Sequence, residues 1–183
     1  TFDVRDKDEV FSQIENLPEA FNTIDILINN AGNAHGLDTI QEGDTDDWDA
    51  MLDINVKGLL YVSKAVLPSM LKRETGHILH IGSTAGKEVY PKGNVYCASK
   101  HAVDALNEGM RLDLNGTGIK VSAVNPGLVQ TELSEGRFKG DTQRAEKVYE
   151  GYTPLNPEDV AEVIWFTVSR PPHVLLADVT MMC

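Results

Sequence analysis

The chain alternates short runs of β-branched residues with longer amphipathic stretches, and this alternation limits the folds that it can adopt. Three runs of five or six residues, each bounded by Gly, Asn or Pro, predict strands at 24–28, 77–81 and 119–124. A weaker run at 174–179 is a fourth candidate strand. Strands that alternate with helices form parallel sheets, because the chain must cross back before the next parallel strand begins. The pattern therefore predicts an α/β fold.

Capping residues mark the helices between these strands. Asp6, with Glu9 three residues later, opens the first helix. Asn156 followed by Pro157 opens the last one, since proline fits the first helical position. Gly116 is a stop signal for the third. The predicted helices are 6–17, 45–72, 94–115 and one that begins at 156.

The length and charge of the chain limit the classes of protein to which it can belong. With 183 residues the chain suits a single domain over 1–183, since a second core is hard to form below about 200 residues. Its 16 Lys and Arg against 28 Asp and Glu give a net charge of −12, which repels nucleic-acid backbones. No apolar run approaches the roughly 20 residues that span a bilayer. Two cysteines are too few for a disulfide framework, so we expect a cytoplasmic protein without nucleic-acid or membrane partners.

The first residues, Thr1 to Val4, look like the end of a strand rather than the start of a domain. A sheet of four strands is also small for this architecture, in which about six are usual. We therefore expect the chain to lack roughly 50 preceding residues, about one and a half strand–helix–strand units.

The long second helix presents one polar residue on an apolar face. The members of this face, spaced by three or four residues, are Trp48, Leu52, Asn55, Leu59, Val62 and Val66. A buried amide without partners costs about 1–3 kcal/mol, so Asn55 should have fixed partners. It is either a core residue that bonds a neighbouring loop or part of a functional site. Pro68 removes a backbone donor and predicts a distortion near Lys64.

The third helix carries a stripe of small residues that allows another helix to approach closely. The stripe consists of Ala98, Ala102, Ala105 and Gly109. Packing against the chain's own helices is one interpretation. An intersubunit helix pair is the other, and we favour it because the side of the long helix opposite Asn55 is apolar as well. A homodimer or homotetramer is therefore expected.

Three strands are each followed by small or polar residues, and the next helix begins with a reactive pair. Ser83 follows the second strand, and Tyr96 and Lys100 share a helix face at a spacing of four residues. Loops 29–32 and 125–127 follow two other strands. In open α/β sheets, ligands bind at the carboxyl ends of the strands. The pattern therefore places a hydroxyl, a phenol and an ammonium near one binding edge.

In order and spacing, these motifs resemble the short-chain dehydrogenase/reductase family. The matching motifs are Asp3-Val4, Asn29-Asn30-Ala31-Gly32, Asn55-Val-Lys-Gly58, Ser83, Tyr96-Cys-Ala-Ser-Lys100 and Asn125-Pro126-Gly127. Stretches 90–96, 126–132 and 137–141 resemble its NADP-dependent 3-hydroxy acid (serine and allo-threonine) dehydrogenase branch. The resemblance implies a Rossmann-type doubly wound parallel sheet, here without its N-terminal strands and glycine-rich turn.

The resemblance also implies a role for each matched polar side chain. Tyr96 would be the general acid/base, and the Lys100 ammonium would lower the pKa of its phenol from about 10. Lys100 would also hold the nicotinamide ribose. Ser83 would bond the reacting oxygen, and Asn55 would position a water that links Lys100 to solvent. Cys97, on another face of the helix, is interpreted as packing rather than as a nucleophile.

Cofactor contacts follow from the same resemblance. Asp3 and Val4 would flank the adenine, and the backbone of Asn30, Ala31 and Gly32 would line the adenosine side. Residues 126–134 would wrap the nicotinamide; the named contacts there are Pro126, Gly127, Val129 and Thr131. The residues that choose between NADP(H) and NAD(H) would precede Thr1, so NADP(H) is expected from the branch alone. No metal site is predicted.

The segment after Thr131 corresponds to the family's mobile lid, and it contains a short basic cluster. Within it, Arg137 either binds a substrate carboxylate together with Ser83 and Tyr96 or is a solvated helix residue. The expected activity is hydride transfer between NADP(H) and a short 3-hydroxy acid. Reduction of a 3-oxoacyl thioester, a sulfonate aldehyde or a sugar alcohol precursor is the alternative. A catalytically silent fragment that associates through its helices is a third possibility.

Overall fold

The computed structural model describes residues 1–183 and contains one parallel sheet of four strands. In spatial order these are β1 (Ile26–Asn29), β2 (Gly76–Ile81), β3 (Ile119–Pro126) and β4 (Asp178–Met181). The α/β prediction and the first three strand runs are confirmed, whereas the fourth strand overlaps its predicted run only at residues 178 and 179. The first and last strands begin later than predicted because the carbonyls of Ile24 and Val174 accept hydrogen bonds from the side chains of Arg73 and Lys120.

Seven α-helices and two 3₁₀ turns accompany the strands. The α-helices are α1 (Lys7–Glu15), α2 (Thr45–Leu52), α3 (Leu59–Arg73), α4 (Asn94–Asp113), α5 (Leu133–Arg137), α6 (Thr142–Lys147) and α7 (Pro157–Val168). The 3₁₀ turns are Glu19–Phe21 and Thr84–Gly86. The predicted caps are confirmed: Asp6 accepts a hydrogen bond from the Glu9 amide at 2.9 Å, and Asn156 forms a capping box with Asp159. None of the helices combines the length and apolar character needed to cross a bilayer.

The predicted long second helix is divided by a π-helical turn. This turn, Asp53–Gly58, separates α2 from α3, and α3 then runs through Pro68 to Arg73 without a break. The expected distortion near Lys64 was therefore placed wrongly. A π turn inserts one extra residue and rotates the following face, and such turns occur frequently at functional sites. Here the turn contains the buried Asn55.

The core lies between the sheet and the helices on one of its faces. Its apolar cluster consists of Val66, Met70, Ile78, Leu114, Ile119 and Val121. Helix α1 packs against α3, α4 packs against β3, and α7 also contacts β3. Because all strands are parallel, their carboxyl ends meet at one edge of the sheet. This edge is where the sequence placed its polar loops.

Strand β2 buries two histidines. His80 is fully buried and its Nδ1 lies 3.2 Å from the Asn29 amide nitrogen, whereas the His77 Nε2 lies 2.8 Å from the Ser122 hydroxyl. Burial lowers the pKa of each imidazole to about 4, and the charge of Lys120 adds to the effect at His77. Both rings are therefore neutral in the folded protein at neutral pH.

We expect these histidines to make the fold acid-sensitive. Their pKa in the unfolded chain is about 6.5, so the unfolded state binds more protons than the native state between pH 6.5 and 4. The stabilising contribution is present above pH 6.5 and is lost as the pH falls. Urea denaturation at pH 7 and at pH 4.5 measures how much unfolding free energy is lost on acidification. In His80→Gln this loss should be about 2 kcal/mol smaller than in the wild type. His173→Gln is the control, because His173 is exposed. If wild type and His80→Gln lost the same unfolding free energy between pH 7 and 4.5, the lowered pKa assigned to His80 would be contradicted.

Candidate active site

A cleft of about 570 Å³ opens at the carboxyl edge of the sheet. Predicted site residues that line it are Asn30, Gly32, Ser83, Tyr96, Lys100, Pro126, Gly127, Val129 and Thr131. They come from the loops after β1, β2 and β3 and from the start of α4. The hydroxyl, phenol and ammonium expected from the sequence are therefore together in one cavity.

Ser83 is held by the turn that follows β2. Its extended backbone begins the 3₁₀ turn Thr84–Gly86, and its hydroxyl oxygen accepts a hydrogen bond from the Ala85 amide at 3.1 Å. Gly86 allows this turn to contact α4, since a Cβ there would lie 2.7 Å from the carbonyl oxygen of Lys100. This close approach brings the Ser83 hydroxyl next to the first turn of α4.

The phenol of Tyr96 is partly buried and lines the same cleft as the Ser83 hydroxyl. Burial raises the pKa of Tyr96, while the nearby Ser83 hydroxyl and the charge of Arg137 oppose the rise. Lys100 is not among the groups that shift this pKa, which differs from the expectation. The phenol therefore keeps its proton at neutral pH, which is the form that a general acid requires for carbonyl reduction.

The ammonium of Lys100 is buried and has one protein partner. Its Nζ donates a hydrogen bond to the Ile81 carbonyl oxygen at 2.9 Å, and burial lowers its pKa to about 8. This contact explains the difference from the sequence expectation, because the ammonium is anchored at the end of β2. A lysine carries three donor hydrogens, so two remain available to hydroxyl groups of a ligand.

Asn55 is a structural link rather than a lining residue of the cleft. Its Oδ1 accepts from the Asn33 amide at 2.8 Å, and its Nδ2 donates to the Asn33 carbonyl at 2.9 Å and to the Ser99 hydroxyl at 3.0 Å. Ser99 in turn donates to the Tyr96 carbonyl at 2.8 Å. Asn55 thus joins the loop after β1 to α4, which matches the loop-bonding interpretation. The water-positioning role of Asn55 stays a prediction.

Three predicted cofactor residues do not line the cleft. The Asp3 carboxylate pairs with Arg5 at 2.6 Å, and this contact lowers its pKa. Val4 lies against Gly58, and Ala31 is exposed beside the cleft-lining Asn30 and Gly32.

Arg137 lies against the ring of Tyr96. Its guanidinium carbon lies 5.1 Å from the centroid of the Tyr96 ring and 5.6 Å from that of Tyr90. Its Nε donates to the Gly36 carbonyl at 3.0 Å, and its Nη2 donates to the Tyr90 hydroxyl at 2.6 Å. The solvated alternative is therefore wrong. The guanidinium faces a small depression that shares Tyr96 with the main cleft.

The sequence analysis missed two residues of this site, Tyr90 and Ser99. Its interpretation of Cys97 as a packing residue was confirmed. Tyr90 and Ser99 were missed because their hydroxyl groups act through partners that are distant in the chain. A signal for Ser99 existed, since it lies one residue before Lys100 within the matched motif. Cys97 is fully buried, in agreement with a packing role.

Several known proteins are similar to this chain in both sequence and fold. Residues 1–142 match the family model described as short chain dehydrogenase. The NADP-dependent 3-hydroxy acid dehydrogenase YdfG of Salmonella typhi is 45% identical over 181 residues, which are 98% of this chain and 73% of that protein. The NADP-dependent 3-hydroxy acid dehydrogenase of Schizosaccharomyces pombe is 44% identical over 176 residues, covering 96% and 68%. The closed form of serine dehydrogenase complexed with NADP⁺ superposes with a TM-score of 0.96 at 44% identity, covering 98% and 73%.

Proposed function

This chain belongs to the short-chain dehydrogenase family and is an oxidoreductase of that family, and on this premise we propose that it acts on short 3-hydroxy acids. The cofactor is NADP(H), as in its relatives. The observation that supports the proposal is the placement of Ser83, Tyr96 and Lys100 in one cleft, with Arg137 over the ring of Tyr96. The class of substrate is inferred from the relatives and from the position of the Arg137 guanidinium.

The cleft fits a dinucleotide in two respects. The Lys100 ammonium is buried with one partner, so its two remaining donors suit the hydroxyls of a ribose. Gly32 keeps the neighbouring space open, because a Cβ there would lie 3.1 Å from the Asn55 Oδ1 and 3.8 Å from the Lys100 Nζ. The loop from Pro126 to Thr131 forms another wall of the cleft. We assign nicotinamide binding to this loop and ribose binding to Lys100.

The protein's own groups orient the substrate and move its proton. When bound, the nicotinamide supplies or accepts the hydride. The Ser83 hydroxyl lies beside the Tyr96 phenol and donates a hydrogen bond to the reacting oxygen, which stabilises the negative charge that develops there. Tyr96 donates its proton to that oxygen during reduction and accepts it back during oxidation. Lys100, anchored at Ile81, holds a positive charge in the same cleft.

Arg137 is proposed to bind the carboxylate of the substrate. Its charge is close to Tyr96, and a guanidinium suits a carboxylate better than an ammonium does because it offers several donors in one plane. The other two nitrogens of the guanidinium donate hydrogen bonds, whereas the terminal nitrogen Nη1 makes none. Nη1 is also not buried. It is therefore accessible to a ligand.

The charge of the substrate should decide how strongly it depends on Arg137. For Arg137→Ala we expect KM for 3-hydroxybutyrate to rise about 10- to 100-fold, since a hydrogen bond to a charged group contributes about 1.5–3 kcal/mol. KM for its methyl ester should change less than about twofold. NADPH formation at 340 nm measures both. Equal changes for acid and ester would contradict the assignment and with it the acid specificity.

We also propose that the protein is a cytoplasmic homodimer or homotetramer that assembles through α3 and α4. Ala98 and Ala105 are exposed on α4, and a Cβ at Gly109 would contact nothing within 4 Å, so this stripe is open to a partner helix. Leu60 on α3 is 36% exposed. The two cysteines are unpaired, as in a reducing compartment. Light scattering that gives the mass of a monomer would contradict the assembly.

A further inference from the structure

A tight turn folds the ring of Tyr90 against the start of α4. The Gly93 amide donates to the Tyr90 carbonyl at 3.1 Å, Pro91 follows Tyr90, and Lys92 has a φ of +67°. These features describe a type II turn, in which proline and then a positive φ occupy the two central positions. A Cβ at Gly93 would lie only 2.1 Å from the Tyr90 Cε2, so the ring packs where a side chain would otherwise be. The turn places Tyr90 four residues before Asn94, which begins the helix turn that carries Tyr96.

The Tyr90 hydroxyl and the Gly36 carbonyl hold the guanidinium of Arg137 from two sides. The Arg137 Nη2 donates to the Tyr90 hydroxyl at 2.6 Å, and its Nε donates to Gly36 at 3.0 Å. The Gly36 amide donates back to the Arg137 carbonyl at 3.0 Å, which ties α5 to the loop after β1. A planar guanidinium that is fixed at two of its nitrogens has a defined orientation. Its remaining terminal nitrogen therefore has a fixed position beside Tyr96.

The surroundings of Tyr90 favour this contact over solvent. The phenol is half-buried, and burial raises its pKa although the Arg137 charge opposes the rise. The hydroxyl stays neutral, so it accepts the hydrogen bond from Arg137 without cancelling the positive charge that a carboxylate needs. A neutral acceptor orients a guanidinium and leaves its charge available, whereas a carboxylate in the same place would compete with the substrate.

We propose that Tyr90 is a specificity-determining residue that acts through Arg137, by holding the guanidinium over Tyr96 in the orientation that receives a substrate carboxylate. This inference rests on the carboxylate-binding role proposed for Arg137. Tyr90 is a positioning residue in this account, and the reacting groups remain Ser83 and Tyr96.

The test is a double-mutant cycle with an acid and its neutral ester as substrates. Tyr90→Phe removes the hydroxyl and keeps the ring, and it should raise KM for 3-hydroxybutyrate about tenfold, because small displacements of positioning groups have effects of this size. The kcat and KM for methyl 3-hydroxybutyrate should change less than about twofold. In an Arg137→Ala background, Tyr90→Phe should add less than about twofold, since coupled residues are not additive.

The outcomes separate this inference from the one that it rests on. If Arg137→Ala selectively impairs the acid but Tyr90→Phe does not, or if Tyr90→Phe has its full effect without Arg137, the role of Tyr90 is overturned and that of Arg137 stands. If Arg137→Ala affects acid and ester equally, both are overturned.

A second variant guards against a simple folding defect. Gly93→Ala leaves the phenol and the guanidinium in the sequence but displaces the Tyr90 ring, so it should reproduce the selective rise in KM for the acid. Tyr61→Phe is the matched control, because the Tyr61 hydroxyl makes no hydrogen bond and does not line the cleft. A rise in KM for the acid in Tyr61→Phe, or none in Gly93→Ala, would overturn the inference. Melting temperatures within a few degrees of wild type confirm that each variant is folded.

Discussion

Tyr96→Phe is expected to lower kcat by about 10³-fold, because it removes the group that is proposed to transfer the proton. The change removes one hydroxyl and keeps the partly buried ring, so the packing of α4 is preserved. Because burial raises the pKa of the phenol, wild-type Tyr96 carries at neutral pH the proton that carbonyl reduction consumes. No neighbouring group replaces it, since the Ser83 hydroxyl is far less acidic. Oxidation of NADPH, followed at 340 nm with acetoacetate, measures the loss.

The same variant should still bind its cofactor. NADPH affinity, measured by fluorescence titration, is expected to stay within about twofold of wild type, because in this account Lys100 rather than the phenol supplies the main donors to the ribose. Turnover above about one tenth of the wild-type rate would contradict the assignment of Tyr96 as the proton donor.

Lys100→Met is expected to reduce kcat/KM by about 10²- to 10⁴-fold and, unlike Tyr96→Phe, to weaken NADPH binding about tenfold or more. Methionine has nearly the length of lysine and suits the buried path of the side chain, but it lacks the ammonium. The variant therefore loses the donors that Lys100 leaves unused and the buried positive charge that it places in the cleft. Steady-state kinetics and the fluorescence titration together measure the two losses.

Lys64→Met is the matched control, because Lys64 is an exposed lysine on α3 and does not line the cleft. It should leave both quantities unchanged. If Lys100→Met kept its NADPH affinity and lost less than about tenfold in kcat/KM, the buried ammonium would have no part in the site.

The periodicity of the chain was sufficient to predict the sheet and most helices, but not the π turn. Strands and caps depend on local patterns, and the caps at Asp6 and Asn156 are hydrogen bonds between residues three apart. The turn at Asp53–Gly58 depends instead on the contact of Val4 with Gly58 and on the bonds of Asn55 to Asn33 and Ser99. Hydrogen bonds between residues that are distant in the chain produce no periodic pattern in the sequence, so periodicity could not predict this turn.

The gathering of the proposed reacting residues in one cleft could be predicted, whereas their electrostatics could not. Ser83, Tyr96 and Lys100 occur in a motif whose order and spacing are specific, and the structure brings them to one cleft. The direction of the Tyr96 pKa shift depends on burial and on where the Lys100 ammonium points, which only the fold decides. The partners of Arg137 lie 101 and 47 residues away at Gly36 and Tyr90, so its orientation was also beyond sequence reasoning.

We expect Tyr96 and Lys100 to work as one catalytic unit at the edge of the sheet. The rate of NADPH oxidation at saturating acetoacetate and cofactor, compared among Tyr96→Phe, Lys100→Met and the double variant, tests it directly. Residues that act together are strongly non-additive, so the double variant should be within about threefold of the slower single variant. A double variant whose loss equals the product of the two single losses would show that the two residues act independently, and would contradict the account.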